Sequence, residues 1–153
     1  MSITSDVKAL VADFEKENPT YKGKAYLTSG DRSWEEQLDI ILDPKRKNNY
    51  PNIKKNFLKE FELDALQSKR SDLEKDQLDW WKKAIMAQAG KPDGFAHVGG
   101  KAQDVSIKNL DKDGRAKLKE KLETKVKLLL EKVTDTDSVY GVSIDAATVF
   151  HCY

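Results

Sequence analysis

The chain has one cysteine, Cys152, so no disulfide can close within it, and its stability must come from packing or from a bound metal. It also has almost no net charge. Twenty-seven Lys and Arg against 26 Asp and Glu leave +1, too little to draw in nucleic acid or an anionic membrane. No apolar run approaches the length of a membrane span. The opening stretch MSITSDVKALVADFEKEN is charged from Asp6 onward and lacks the apolar centre of a secretion signal. These absences predict a chain made in the cytoplasm, with no nucleic acid among its partners, no membrane insertion and no second copy needed. Histidine is scarce too, with only His97 and His151 available.

What is present suits one domain spanning residues 1–153: 39% of the residues are hydrophobic and 35% charged, enough for one core under a polar surface. Val7, Leu10, Val11 and Phe14 recur at helical spacing behind a cap at Thr4 or Ser5. KAYLTS reads as a short strand, followed by a turn at Gly30 and a helix from Ser33 that Pro44 stops. The basic run KRKNNYPNIKK reads as a solvated loop, with a grip on an anionic polymer as the alternative. Residues 57–89 read as helical, with Leu78, Trp81, Ile85 and Met86 inward, and Trp80 and Trp81 read as packing residues. AQDVSI alternates like a half-buried strand, and residues 111–133 read as one long helix through Leu118, Leu122, Val126, Leu129 and Val133. VYGVSI and ATVFHCY read as strands paired in a hairpin near Asp145 and Ala146. Helices and strands mixed without regular alternation favour an α+β fold, a small antiparallel sheet packed with several helices.

His97 ends a glycine loop and Asp104 enters the next strand, so an imidazole and a carboxylate could converge on one ion. If the last strand pairs with that of Asp104, His151 joins them and makes three protein ligands with a position left open. The plainer alternative is a loop histidine and an edge-strand histidine with no ion between them.

A second cluster, LTSGDRSWEEQ, changes that balance. Ser29, Gly30, Arg32, Ser33 and Gln37, then His97, Gly100, Ala102 and Asp104 in an H-x-x-G-x-A-x-D pattern, then His151 in a terminal strand, stand in this order along the chain. In this the sequence resembles the zinc peptidases that cleave peptidoglycan stem peptides, the D-Ala-D-Ala carboxypeptidase and L-alanyl-D-glutamate endopeptidase family. The resemblance implies that His97, Asp104 and His151 bind Zn²⁺. It implies that Arg32 holds a substrate carboxylate or polarises the scissile carbonyl, with Ser29 and Gln37 beside it in the substrate site. It further implies action in the periplasm or cell wall, reached through a phage holin or a secretion machine, and an immunity protein as partner in the second case.

The chain departs from the family at one place. Many members carry a base in an E-x-x-H pattern at the last histidine, where this chain has Thr148, and others carry a histidine where it has Val149. A threonine hydroxyl is a poor base near neutral pH. Asp145 is the leading substitute on sequence, ahead of Asp31, Glu35 and Glu36, and the other side of the balance is a turn aspartate. A binding module that keeps the fold without hydrolysis, or a helical interaction protein with accidental motif matches, are the competing classes. Finally, NLDKDGRAKLKE places Asn109, Asp111, Asp113 and Glu120 at calcium-loop positions with Gly114 between them. The same residues also make an ordinary helix start with Asp111 as cap.

Overall fold

A computed structural model describes residues 2–46 and 49–153. The first helix, α1 (Ile3–Glu17), is capped one turn earlier than the sequence suggests. Ser2 accepts from the Ser5 amide at 3.2 Å, while Thr4 donates to Gln103 Oε1 at 2.9 Å. Its stripe of Val7, Leu10, Val11 and Phe14 is buried, as the periodicity requires. Strand β1 (Tyr26–Leu27) leads into α2 (Trp34–Leu42), whose start is a reciprocal cap between Ser33 and Glu36. The basic run includes Lys47 and Asn48, which lie outside the described residues. Its later part is helical: α3 (Pro51–Glu60) opens on Pro51, whose missing N–H costs nothing in the first turn.

The helix expected over 57–89 is two helices. Glu62 has φ +53°, a left-handed conformation that ends α3, and α4 (Lys75–Ala87) starts afresh where the Glu74 amide donates to Gln77 Oε1 at 2.8 Å. Trp81 and Ile85 are buried as expected, but Met86 is half exposed, because one residue past Ile85 it stands about 100° round the helix from the buried stripe. Trp80 and Trp81 meet edge to face at 5.2 Å beside Phe57, which makes them packing residues.

A second correction concerns residues 111–133. Helix α5 (Lys112–Leu122) stops after burying Leu118 and Leu122, and Leu128–Val133 is a strand, β3. LLLEKV fits either period, and pairing decides it: β3 bonds to neighbours on both sides. The expected hairpin between the last two strands is therefore absent. Strand β4 (Ser138–Tyr140) pairs with β3, and β5 (Val149–Cys152) lies between β3 and β2 (Gln103–Ser106).

The five strands form one antiparallel sheet in the order β1-β2-β5-β3-β4. This is a small single-domain α+β fold, and no helix among the described residues is long and apolar enough to cross a membrane. Side chains alternate across the sheet. One face presents Val105, Phe150, Leu128 and Leu130 to a core shared with α1 and α5. The other carries Asp104, His151 and Glu131, and a second core, built from α2, α3 and α4 around Phe57 and Trp81, stands beside it. A cavity lies where the helical side and the polar sheet face meet.

Candidate metal centre

Strand register assembles the centre. Asp104 lies directly opposite His151 in the β2–β5 pair, so the carboxylate and the imidazole share a face and meet, Asp104 Oδ1 to His151 Nδ1, at 2.9 Å. His97 comes from the loop after α4, which turns back through Gly99 (φ +89°) and Gly100 (φ +73°), both in left-handed conformations that suit glycine. Its Nε2 stands 3.3 Å from Asp104 Oδ2. Backbone bonds tie this loop to the Ser29–Ser33 turn: the Arg32 amide donates to the His97 carbonyl at 3.0 Å, and the Asp104 amide to the Ser29 carbonyl at 2.7 Å. That lacing holds the Ser29–Ser33 turn against the His97 loop and the start of β2.

The imidazole of His97 is oriented from behind. Its Nδ1 faces the Gly30 carbonyl at 3.0 Å, and because a carbonyl only accepts, Nδ1 carries a proton and Nε2 is the nitrogen turned toward Asp104 and the centre. All three residues are buried, and the rings of His97 and His151 are 5.0 Å apart. Burial alone would push the Asp104 carboxyl up, but hydrogen bonds and charge from His151 and His97 outweigh it and hold the carboxyl below its ordinary range. The three ligand atoms lie within 4.8 Å of one another, and this is the one grouping of three such ligands among the described residues.

The donor set suits a divalent transition metal. Two imidazoles and a carboxylate are ordinary zinc ligands, and the two imidazoles face different oxygens of the one carboxylate, His97 Nε2 at 3.3 Å from Oδ2 and His151 Nδ1 at 2.9 Å from Oδ1. Three ligands leave one position free, as catalytic centres do and closed structural sites do not. No protein-family model, curated protein or solved structure matches this chain.

His97 and Asp104 line a cavity of about 410 Å³. Ser29 and Arg32 stand on its wall as well, so the structure brings these expected site residues together. Gln37 lies behind the wall, buried, with its Oε1 accepting from Arg32 Nη1 at 2.9 Å. Tyr50, also on the wall, has its phenol pushed up by burial, against the opposing pull of Arg32 and Gln37. A cleft of about 470 Å³ between Asp39, Arg70 and Leu78 is slightly larger, but none of the three centre residues reaches it.

Asp145 is placed elsewhere. It is exposed in the turn before β5, its carbonyl accepts from Arg115 of α5 at 3.1 Å, and it is not among the residues lining the cavity. Asp31, Glu35 and Glu36 do not line it either, and Glu36 is spent on the α2 cap. Thr148, at the position of the missing base, uses its hydroxyl to accept from the Val133 amide at 2.9 Å. The calcium pattern resolves as a helix start: Asp111 caps α5 by accepting from Gly114 at 2.8 Å, it also accepts from the Tyr21 hydroxyl, and Asp113 pairs with Lys117. Glu120 is exposed on α5.

The residue that sequence reasoning overlooked is Glu131. It lies on β3, is only 4% exposed, and reaches the cavity wall beside Tyr140 and Ser138. Ser138 Oγ donates to its Oε2, while its Oε1 is buried without a hydrogen-bond partner. Tyr140 adjoins this carboxylate, and burial, the Glu131 charge and a hydrogen bond toward Glu131 push its phenol well above the ordinary range. The available signal was a lone acid inside the apolar run LLLEKV, hidden by reading that run as helix.

Proposed function

We propose that the chain is a zinc-dependent peptidase that hydrolyses an amide bond in bacterial peptidoglycan stem peptides. The observation that carries this reading is a buried His97, Asp104 and His151 centre opening onto a cavity whose wall holds Arg32. The order of the SG-x-R-S, H-x-x-G-x-A-x-D and terminal histidine motifs supports the choice of substrate.

His97, Asp104 and His151 would hold the ion. When bound, zinc supplies Lewis-acid chemistry, polarising a carbonyl and lowering the pKa of a water from about 16 toward about 7. The protein's own residues do the rest. Arg32, its guanidinium held in place by Gln37, offers a fixed planar fork to a substrate carboxylate or to the oxygen of the scissile amide. Ser29 orients the site twice, since its carbonyl anchors Asp104 and it also faces the cavity. The Gly30 carbonyl keeps His97 in the tautomer that can donate to a metal. The stem peptide is thus bound by the Arg32 side and presented to the sheet side.

Action on this substrate belongs in the periplasm or wall, after release through a holin or export by a secretion machine, with an immunity protein as partner in the second case. A monomer is sufficient, because the ligands come from one chain. Thr148 in place of the usual glutamate favours a second reading, a module that binds cell-wall peptide without cleaving it. The deciding experiment is mass spectrometry of fragments released from purified peptidoglycan by protein as isolated, chelator-treated and zinc-restored. A defined cleavage that disappears with chelator and returns with zinc is the expected result and names the bond. Stoichiometric zinc with no cleavage would select the binding module, and no metal at all would end both readings.

A further inference from the structure

The β3–β5 register sets Leu129 opposite His151 and Glu131 opposite Val149, so Glu131 lies diagonally across from His151 on the ligand-bearing face. Diagonal neighbours of this kind are about 7–8 Å apart at the backbone, within reach of a glutamate side chain. The strand geometry also bears on the missing motif residue. The Thr148 amide donates to the Glu131 carbonyl at 2.9 Å, so the position where an E-x-x-H base would stand is bonded directly to Glu131 on the next strand. Thr148 has surrendered its side chain to the backbone of Val133, and the carboxylate enters the same neighbourhood from β3.

Its hydrogen bonding is asymmetric. Ser138 donates to Oε2, which sets the plane of the carboxylate, and Oε1 is buried without a hydrogen-bond partner in a residue that lines the cavity. A buried polar oxygen with no partner is costly and uncommon in folded proteins, and it implies a partner that arrives with the function. We propose that Glu131 is the general base of the hydrolysis and Ser138 the residue that positions it. This rests on the peptidase reading above.

The step balances. Glu131 Oε1 takes one proton from the attacking water as the hydroxyl oxygen bonds to the scissile carbonyl carbon, with Arg32 facing the charge that develops. The tetrahedral adduct collapses, the C–N bond breaks, and the protonated Glu131 returns its proton to the departing amine. One water is consumed, a carboxylic acid and an amine are formed, the acid passes its remaining proton to the amine so that they leave as carboxylate and ammonium, and Glu131 is again a carboxylate.

The test uses zinc-loaded full-length protein, a defined stem peptide, and the variants Glu131→Gln, Glu131→Ala and Ser138→Ala. Each is assayed for zinc per chain, for affinity toward intact peptide by calorimetry, and for kcat. Glu131→Gln should keep one zinc and bind peptide within about threefold of the parent while kcat falls between about 10² and 10⁴-fold, the usual contribution of a general base. Glu131→Ala should regain part of its kcat with added formate, and Ser138→Ala should lose about tenfold in kcat with zinc and affinity unchanged. Loss of zinc in folded Glu131→Gln would make Glu131 a ligand and overturn the proposal. So would a kcat within threefold of the parent. If Glu131→Gln does not fold, formate rescue of Glu131→Ala decides: rescue supports the base and its absence overturns it. Failure of the parent itself to cleave any stem peptide, with zinc bound, would instead reject the peptidase reading.

Discussion

At the scale of single residues, the centre depends on groups that do not touch the metal position. Gln37 is buried behind the cavity wall, with Oε1 committed to Arg32 and Nε2 unpartnered, so its main role is to aim a guanidinium. A hydrogen bond to a charged group contributes about 1.5–3 kcal/mol, and Gln37→Leu should therefore lower kcat/KM by roughly 10 to 100-fold with zinc content unchanged. Steady-state kinetics beside metal analysis checks this, and a loss of zinc would show that Gln37 shapes the centre itself. His97→Ala should lose stoichiometric zinc altogether, because two ligands remain where three are needed. Zinc retained at one per chain in that variant would reject the ligand set. Cys152 neighbours His151 in sequence but points into the opposite core, fully buried, and burial with the Asp104 charge pushes its thiol up to about 12. A thiol so buried and so raised holds almost no thiolate near neutral pH. A disulfide reagent should titrate no thiol in the native protein and one in denaturant.

At the scale of elements, the helix starts at Ser33 and Asp111 were legible and the element ends were not. Ser33 with Glu36, and Asp111 ahead of α5, act as the local chemistry dictates, because a cap needs only residues a few positions apart. Asp111→Ala should cost about 1 kcal/mol in a denaturant melt, and added calcium should leave the parent's midpoint unmoved, since the acidic groups are already engaged. The Tyr21 phenol, raised to about 12 chiefly by its hydrogen bond to Asp111, should titrate nearer its ordinary 10 in the same variant, readable by ultraviolet absorbance. The end of α5 was not legible. Leu118 and Leu122 continue in helical spacing into Val126, Leu129 and Val133, and nothing local forbids the helix from continuing. It stops because β5 and β4 offer Leu128–Val133 backbone partners on both sides, a contribution that periodicity does not contain. The same error concealed Glu131, since on a helix it would have had no fixed relation to His151.

At the scale of the whole molecule, the sheet separates two kinds of work. One face closes a core with α1 and α5, and the other carries the centre, beside a cavity whose wall includes Arg32 from the turn before α2 and Tyr50 from the start of α3. Zinc binding to residues drawn from two distant segments, His97 with Asp104 and His151, should couple to global stability. At a free zinc concentration a thousand times Kd the folded state gains about 4 kcal/mol, which for a chain of this size raises the melting temperature by about 8–16 °C. Calorimetry with zinc and then with chelator measures it, and a change below about 2 °C under saturating zinc would mean that the triad holds no ion. The sequence by itself determined the α+β class, the caps at Ser33 and Asp111, the apolar stripes of α1 and α2, and the three candidate ligands, because spacing and residue chemistry are local quantities. Only the tertiary structure decided the strand order, the end of α5, the separation of Asp145 from the centre and the arrival of Glu131 beside it. Those depend on which strands exchange hydrogen bonds across long separations in the chain, and that choice is made by the packing of the whole domain.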